Sequence, residues 1–422
     1  MTERTLGAYD VLGRYRSESQ VISGNSNTYT FSYTHWLTDE IKTLGYPSGR
    51  VVTYGMDDAG RIKSVRAGGK TYATMTSEIV STPYTPDGRL AMMKLGNGLW
   101  ETRDYRVPGV TTTFMLGTSS GTSGVMALEY NYSGSANNGN LISHVIKQPG
   151  KTWTQSFTYD ALNRIETASE TGGFNLTYGC DRYGNCWIDP LMSTGLKHSD
   201  VHEPSSSLNF DATTNRLNVV GSTYDNAGNQ TLYTPFALSY DAENRITDIT
   251  SATSGTGSFV YDGDGHRVKK VWTPLGGSTA STYYVYDATG QVASEYSDQT
   301  PGAAATSYVF TDMLGSVRGV TSSAGVLSEC YDYVPFGRML SSSDSMANPR
   351  DTGCYPGAPD IPYTSKLPQK FTGKERLQEM VSALDYLGAR YYSGPEGRFT
   401  SPDPLLNSGR PSDPQSWNRY AL

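Results

Sequence analysis

Charged side chains, cysteines and long apolar runs are all scarce in this chain of 422 residues. Only 18% of the residues are charged, and 34 Lys and Arg stand against 41 Asp and Glu, a net charge of −7. This balance removes the electrostatic basis for non-specific nucleic-acid binding, and the low charge is unlike that of a disordered chain. No run approaches the roughly 18 apolar residues of a membrane helix, and the first residues contain no apolar stretch typical of a signal peptide.

Helical periodicity is also rare, whereas glycine and tyrosine are abundant. The chain has 45 Gly and 31 Tyr, and short runs rich in Tyr, Val, Thr, Ile and Phe alternate with Gly, Asp, Asn and Pro. Runs of this length and composition, bounded by turn-forming residues, are typical of β-strands. The composition therefore predicts a β-dominated protein.

A Tyr-Asp motif recurs along the chain with a loose period. Its clearest copies begin at Tyr159, Tyr224, Tyr240, Tyr261 and Tyr286, and the last three steps are 16, 21 and 25 residues long. The tyrosine suits the end of a half-buried strand, and the aspartate can accept a hydrogen bond from the N–H two residues on. The Gly or Asn four residues after each tyrosine suits a positive φ.

Each copy is therefore predicted to be a β-hairpin with a four-residue turn. One hairpin cannot bury its own face, so neighbouring hairpins must join. The sequence predicts an all-β fold of repeated antiparallel β-hairpins that form one coiled sheet. In such a sheet the tyrosines belong to the core rather than to a sugar-binding surface.

Two short patterns resemble metal sites but lack essential ligands. His198 and His202 are four residues apart, yet a zinc protease motif needs a glutamate directly after the first histidine. Asp262 and Asp264 resemble the start of a calcium loop, but His266 replaces the next oxygen ligand and no bidentate glutamate follows. We expect no metal or cofactor site.

The four cysteines are too few for a disulfide scaffold. Cys180 and Cys186 are spaced so that they could bridge a hairpin, but buried or free thiols are the favoured interpretation. Cys330 and Cys354 indicate nothing further.

The C-terminal third contains an ordered series of blocks. They read YVFTDMLGSVR at 308–318, YDYVPFG at 331–337, FTGKER at 371–376, LDYLGARYY at 384–392 and GRFTSPDP at 397–404. Together with the Tyr-Asp repeats, these blocks resemble the Rhs family, whose YD repeats are shared with toxin-complex C components, bacterial wall-associated proteins and teneurins. Thr311 stands where the family usually has a histidine.

The resemblance implies a β-strand spiral that closes into a hollow YD-repeat shell. In toxin-bearing members, the shell encloses a C-terminal toxin that a built-in aspartyl protease cuts free. The resemblance implies a repeat shell over 1–300 and an Rhs repeat-associated core over 301–422, which ends before the family's D-P-x-G block. We therefore expect a fragment or a truncated copy.

The implied partners are a C-terminal toxin or cargo polypeptide inside the shell, and secretion-system or toxin-complex proteins. The family is secreted or found at the cell surface.

By motif match, Arg390 and Asp403 resemble the arginine and the first aspartate of the family's protease. Such a protease needs two carboxylates that share a proton. The second family aspartate would lie beyond Leu422, and Asp413 falls in a different block. The alternative is that Asp403 only caps a turn and pairs with Arg390. Because this sequence provides one of the two aspartates, the site is incomplete, and enzymatic activity of this chain is left open.

The stretch 374–384 departs from the family pattern. It lacks the glycine of a tight turn, and its composition predicts a short helix or a longer loop there.

Two other functions are compatible with a β-rich repeat. The first is a cell-surface adhesion or carbohydrate-binding protein. The second is an enzyme such as a glycosidase on a β-propeller or β-helix, which the irregular spacing and the lack of a placeable carboxylate pair disfavour.

Overall fold

The computed structural model describes residues 2–75, 83–106, 110–134, 137–196, 201–287, 290–298, 305–340, 367–380, 384–405, 409–410 and 412–422. Strands account for 49% of the structure, and the described residues contain no α-helix. Short 3₁₀ helices occur at Ser207–Asn209, Pro335–Gly337, Phe371–Gly373 and Pro414–Trp417. The prediction of an all-β fold is confirmed. No helix in the described ranges is long and apolar enough to cross a membrane.

Sixteen strands form the first sheet, in chain order and with antiparallel neighbours. They are β1 Glu3–Leu6, β2 Ser17–Val21, β3 Thr28–His35, β4 Ile41–Gly45, β5 Val51–Met56, β6 Ile62–Ala67, β7 Lys70–Thr74, β8 Met92–Leu95, β9 Trp100–Arg106, β10 Val110–Gly117, β11 Met126–Tyr132, β12 Leu141–Gln148, β13 Lys151–Tyr159, β14 Ile165–Glu170, β15 Asn175–Cys180 and β16 Cys186–Ile188. Strand β3 shows the alternation that buries one face, because Tyr29, Phe31 and Tyr33 are buried between exposed neighbours.

Eight further strands form the second antiparallel sheet, again in chain order. They are β17 Ser222–Tyr224, β18 Gln230–Tyr233, β19 Phe236–Tyr240, β20 Ile246–Ser251, β21 Gly255–Tyr261, β22 Arg267–Pro274, β23 Ala280–Tyr286 and β24 Val292–Ser297. The repeats are thus shared between two sheets rather than one.

The C-terminal part of the chain adds two small antiparallel sheets. One contains β25 Ser307–Thr311, β26 Val317–Ser322 and β27 Leu327–Cys330, and the other contains β28 Glu375–Arg376, β29 Leu384–Tyr386, β30 Tyr391–Ser393 and β31 Arg398–Phe399. The hairpin of β28 and β29 pairs Glu375 with Tyr386 and Arg376 with Asp385. Within 374–384, Glu375 and Arg376 form strand β28 and the described residues contain no helix, whereas residues 381–383 lie outside the described residues.

The repeat turns have the predicted geometry. In the copy at Tyr159, Asp160 Oδ1 accepts hydrogen bonds from the N–H groups of Leu162 at 2.8 Å and Arg164 at 3.0 Å. Asp160 Oδ2 forms an ion pair with Arg164 at 2.7 Å. The residue four positions after each repeat tyrosine has a positive φ, namely Asn163 (60°), Gly228 (95°), Asn244 (61°), Gly265 (85°) and Gly290 (78°).

The repeat tyrosine also connects one hairpin to the next. Tyr261 Oη donates a hydrogen bond of 2.7 Å to the carbonyl oxygen of Ile246, the first residue of the preceding return strand. Equivalent hydrogen bonds, from a tyrosine hydroxyl to a backbone carbonyl oxygen, join Tyr84 to Ile62, Tyr159 to Leu141, Tyr240 to Gln230, Tyr286 to Arg267 and Tyr333 to Val317. The tyrosine therefore stabilises the order of neighbouring hairpins as well as the core.

The chain returns on itself, so that the two sheets meet. Phe31 of β3 and Val285 of β23 are both fully buried in one hydrophobic cluster. The rings of Tyr29 and Tyr296 lie 4.9 Å apart, and Tyr286 N donates to Gln20 Oε1 at 3.3 Å. Residues separated by more than 250 positions thus share one core.

The C-terminal part packs against both sheets. Phe310 of β25 is buried with Leu128 of the first sheet, whereas Leu384 of β29 is buried with Ile249 of the second sheet. This packing positions the segment that carries Arg390 and Asp403.

The interpretation of Cys180 and Cys186 as thiols is wrong, because they form a disulfide. They are directly opposite each other in the β15–β16 pair, with Cα atoms 4.1 Å apart. This cross-strand position brings the two sulfur atoms together.

Candidate functional site

Arg390 and Asp403 are brought together by the last small sheet. Arg390 directly precedes β30, and Asp403 follows β31, which pairs with β30. The Arg390 guanidinium lies 3.7 Å from the centre of the Phe399 ring, and its Nη2 is 3.9 Å from Asp403 Oδ2. The two motif residues are therefore just close enough to form an ion pair.

A second arginine completes this cluster. Asp403 N donates to the Arg419 carbonyl oxygen at 2.7 Å, and the Arg419 guanidinium donates to the Asp403 carbonyl oxygen. Arg390 Nη1 also donates to the Arg419 carbonyl oxygen, at 3.1 Å. Sequence reasoning did not include Arg419 in the site.

The Asp403 carboxylate has one local role in addition to its pairing with Arg390. Its Oδ1 accepts a hydrogen bond of 2.9 Å from Leu405 N, as expected for an aspartate that caps a turn. Burial lowers the pKa of Arg390 below its usual value, while Asp403 acts in the opposite direction and Arg419 adds to the lowering.

Asp413 has a purely local environment. It is the N-cap of the 3₁₀ helix Pro414–Trp417, and its Oδ1 accepts from Gln415 N at 3.1 Å. Its side chain is exposed. The capping contact accounts for the aspartate at this position, and no role in proton transfer is needed to explain it.

A buried ionic network holds the small sheet of β28 to β31 against the second sheet, and sequence reasoning missed it. Glu375 of β28 contacts the Arg267 guanidinium, and its Oε1 lies 3.3 Å from Lys270 Nζ and 2.7 Å from Tyr284 Oη. Lys270 also pairs with Glu379 at 2.8 Å. The partners of Glu375 are more than 90 residues away in sequence, so no local spacing indicates the network.

The weak metal patterns have structural explanations. His202 is buried and stacks on Tyr233 with ring centres 3.8 Å apart, whereas His198 lies outside the described residues. Ligand atoms of Asp262, Asp264 and His266 lie within 4.8 Å of one another. Asp262 Oδ1 nevertheless accepts from the N–H groups of Asp264 and His266, which is the ordinary geometry of the repeat turn.

Comparison with solved structures shows the class of fold. A TcdB2–TccC3 structure matches 99% of this chain with a TM-score of 0.74 and 17% sequence identity, and this match covers 23% of that chain. A Tc holotoxin pore from Photorhabdus luminescens matches 99% of this chain and 22% of its own, with a TM-score of 0.72 and 17% identity. At this identity, the similarity shows the fold alone.

A protein of known sequence is also similar. The tRNA3(Ser)-specific nuclease WapA of Bacillus spizizenii is 23% identical over 277 residues, which cover 62% of this chain and 11% of the nuclease. The chain thus spans about a tenth of this relative and less than a quarter of the matched structures. No protein-family model matches the sequence.

Proposed function

We propose that this chain is a structural YD-repeat shell module of an Rhs-type polymorphic toxin. Its strands form part of a wall that encloses a C-terminal toxin, and its C-terminal part carries one half of an aspartyl self-cleavage site. The main support is the match of nearly the whole chain to TcdB2–TccC3 with a TM-score of 0.74. The Tyr-Asp turns and the C-terminal blocks support the same assignment.

In this proposal the chain has two functional parts. Residues 1–300 form the repeat wall, since the first large sheet ends at Ile188 and the second at Ser297. Residues 301–422 form the core that covers the inside of the wall, because β25 and β29 are buried against the two large sheets. The protein would act outside the cell that makes it, together with toxin-complex or secretion-system proteins.

The proposed role of Asp403 follows from its position. A carboxylate positioned beside Arg390 can act as the base of an aspartyl pair once a second carboxylate faces it. The present chain supplies one carboxylate of that pair, so it should remain intact on prolonged incubation.

The test uses a protein extended at residue 422 by a family segment that contains the D-P-x-G block and a small reporter domain. Intact mass spectrometry should show self-cleavage of this protein, and Asp403→Asn should abolish it. Asp413→Asn is the matched control and should still be cut, because Asp413 only caps a 3₁₀ helix. Cleavage of the extended Asp403→Asn protein would reject the assigned site.

The same sample tests whether this part of the wall holds its cargo. After cleavage, the reporter should co-elute with the 422-residue part in size-exclusion chromatography. A reporter that elutes separately would contradict a role of this part in holding the cargo.

A further inference from the structure

The backbone of Arg419 connects the two motif residues of the candidate site. Asp403 N donates to the Arg419 carbonyl oxygen at 2.7 Å, and Arg390 Nη1 donates to the same oxygen at 3.1 Å. Arg390 and Asp403, whose side chains are 3.9 Å apart, are thus joined through one carbonyl group. A contact that fixes residues 418 and 419 therefore also fixes the arrangement of the two motif residues.

Asn418, the neighbour of Arg419 in the chain, is bonded to a distant repeat turn. Its Nδ2 donates to Asn185 Oδ1 at 2.9 Å, and Arg398 Nη2 donates to the same oxygen at 3.0 Å. Asn185 lies between β15 and β16 and is 2% exposed. Arg398 begins β31, the strand that leads to Asp403. One amide oxygen of the first sheet therefore contacts both arms of the segment that carries Asp403 and Arg419.

The repeat turn alone does not explain these two contacts, as a comparison with Asn229 shows. Asn229 has the same place in the turn between β17 and β18, and its Nδ2 donates to Asp225 Oδ2 at 2.9 Å and to Asn244 Oδ1 at 2.8 Å. Asn185 Nδ2 makes the two equivalent contacts, at 2.8 Å and 2.9 Å. The oxygens differ, because Asn229 Oδ1 has no hydrogen-bond partner among the described residues, whereas Asn185 Oδ1 has two donors.

The turn that carries Asn185 is also well fixed. The disulfide of Cys180 and Cys186 joins its two ends, and the ring of Tyr183 lies 6.1 Å from the ring of Trp417, measured between centres. A buried amide whose nitrogen and oxygen both have partners can hold a neighbouring segment in one orientation. The turn is therefore a rigid support for the segment opposite it.

We propose that Asn185 is a positioning residue for Asp403. Through Asn418 and Arg398, its Oδ1 fixes the segment in which the Arg419 carbonyl oxygen joins the two motif residues. This inference rests on the proposed self-cleavage, in which Asp403 acts on the scissile bond. It gives the repeat wall a part in holding the self-cleavage site.

The experiment measures the rate of self-cleavage of the protein extended at residue 422, by intact mass spectrometry. Asn185→Ala should cut itself about tenfold to a hundredfold more slowly, because a small displacement of a reacting group is enough for such a loss. Asn229→Ala is the matched control, since it loses the same two turn contacts, and it should cut at the unmodified rate. An unchanged rate in a folded Asn185→Ala would overturn the positioning role.

Asn185→Asp separates positioning from support of the turn. It keeps an oxygen acceptor for Asn418 and Arg398, but it loses the Nδ2 donor to Asp181 Oδ2. It should therefore recover most of the cleavage rate that Asn185→Ala loses. If Asn185 only supported its own turn, Asn185→Asp would cut no faster than Asn185→Ala, and this result would overturn the proposal. If Asn185→Ala does not fold, Asn418→Asp removes the same hydrogen bond from the other side and should be equally slow.

Hydrogen exchange of the 422-residue chain gives a readout that does not need cleavage. The Asp403 N–H should exchange faster in Asn185→Ala, because its acceptor on Arg419 is less well fixed, and it should stay protected in Asn229→Ala. Equal exchange in both variants would contradict the positioning role and leave the proposed function intact. Failure of the unmodified extended protein to cut itself would instead reject the proposed function, and the positioning role with it.

Discussion

The repeat tyrosine and the repeat aspartate act on different parts of the same hairpin pair. The aspartate closes its own turn through the two N–H groups that follow it, as Asp241 does with Glu243 and Arg245. The tyrosine reaches the previous hairpin through its hydroxyl, as Tyr261 does with Ile246. Both hydrogen bonds use backbone groups that a turn or strand end would otherwise leave unpaired.

Removing one such hydroxyl should weaken the repeat measurably. In Tyr261→Phe, the partly buried carbonyl of Ile246 loses its donor, and we expect the free energy of unfolding to fall by about 1 kcal/mol. Chemical denaturation measures this change. Tyr9→Phe is the control, because Tyr9 begins a repeat but is 54% exposed; an equal loss there would contradict the proposed role of the hydroxyl.

Glycines at the turns should differ in their tolerance of a side chain. Gly228 and Gly290 both have a positive φ, so alanine at either position should cost about 1–3 kcal/mol in backbone strain. A Cβ at Gly228 would also lie 2.7 Å from Tyr420 Oη, whereas at Gly290 the nearest atom is 3.8 Å away. We expect Gly228→Ala to have the lower melting temperature, and Gly263→Ala, with open space and no positive φ, to be nearly neutral.

The strands and turns could be predicted from the sequence because their causes are local. Asp160 lies within four residues of the groups that it binds in its own turn, and the φ of Asn163 follows from its place in that turn. The bond from Tyr159 to Leu141 and the network around Glu375 depend on which elements become neighbours. Short-range patterns contain no information about those contacts, so the sequence did not predict them.

The attachment of the last small sheet should depend on pH through Glu375. Burial acts to raise the pKa of Glu375, but Arg267 and Lys270 lower it below the usual 4.5. Because the folded-state pKa lies below the unfolded one, this stabilisation is present above about pH 4.5 and is lost as the pH falls through the folded value.

Glu375→Gln should therefore destabilise the protein by about 3 kcal/mol at pH 7, since it leaves buried cations without their partner. The difference from the unmodified protein should disappear at acid pH, which urea denaturation at several pH values measures. An effect of Glu375→Gln that is equally large at pH 7 and at acid pH would contradict this assignment.

At the scale of the whole molecule, the structure is closed by contacts between distant parts of the chain. The cluster of Phe31 and Val285 joins the start of the first sheet to the end of the second. Each sheet would otherwise have one apolar face with only partial cover, because the hairpins of a repeat contact mainly their neighbours. The stability of β22 to β24 should therefore depend on residues near the N-terminus.

Phe31→Ala tests this dependence. A buried phenylalanine replaced by alanine costs about 3–5 kcal/mol, and here the loss should extend across the junction between the sheets. Hydrogen exchange followed by mass spectrometry should show faster exchange in β22 to β24, as well as in β2 to β4. Phe114→Ala is the matched control, because Phe114 is buried in a different cluster with β11 and β25 and should leave β22 to β24 protected. If Phe31→Ala changed only β2 to β4, the two sheets would be independent units, and the closure of the molecule would have to come from its C-terminal part.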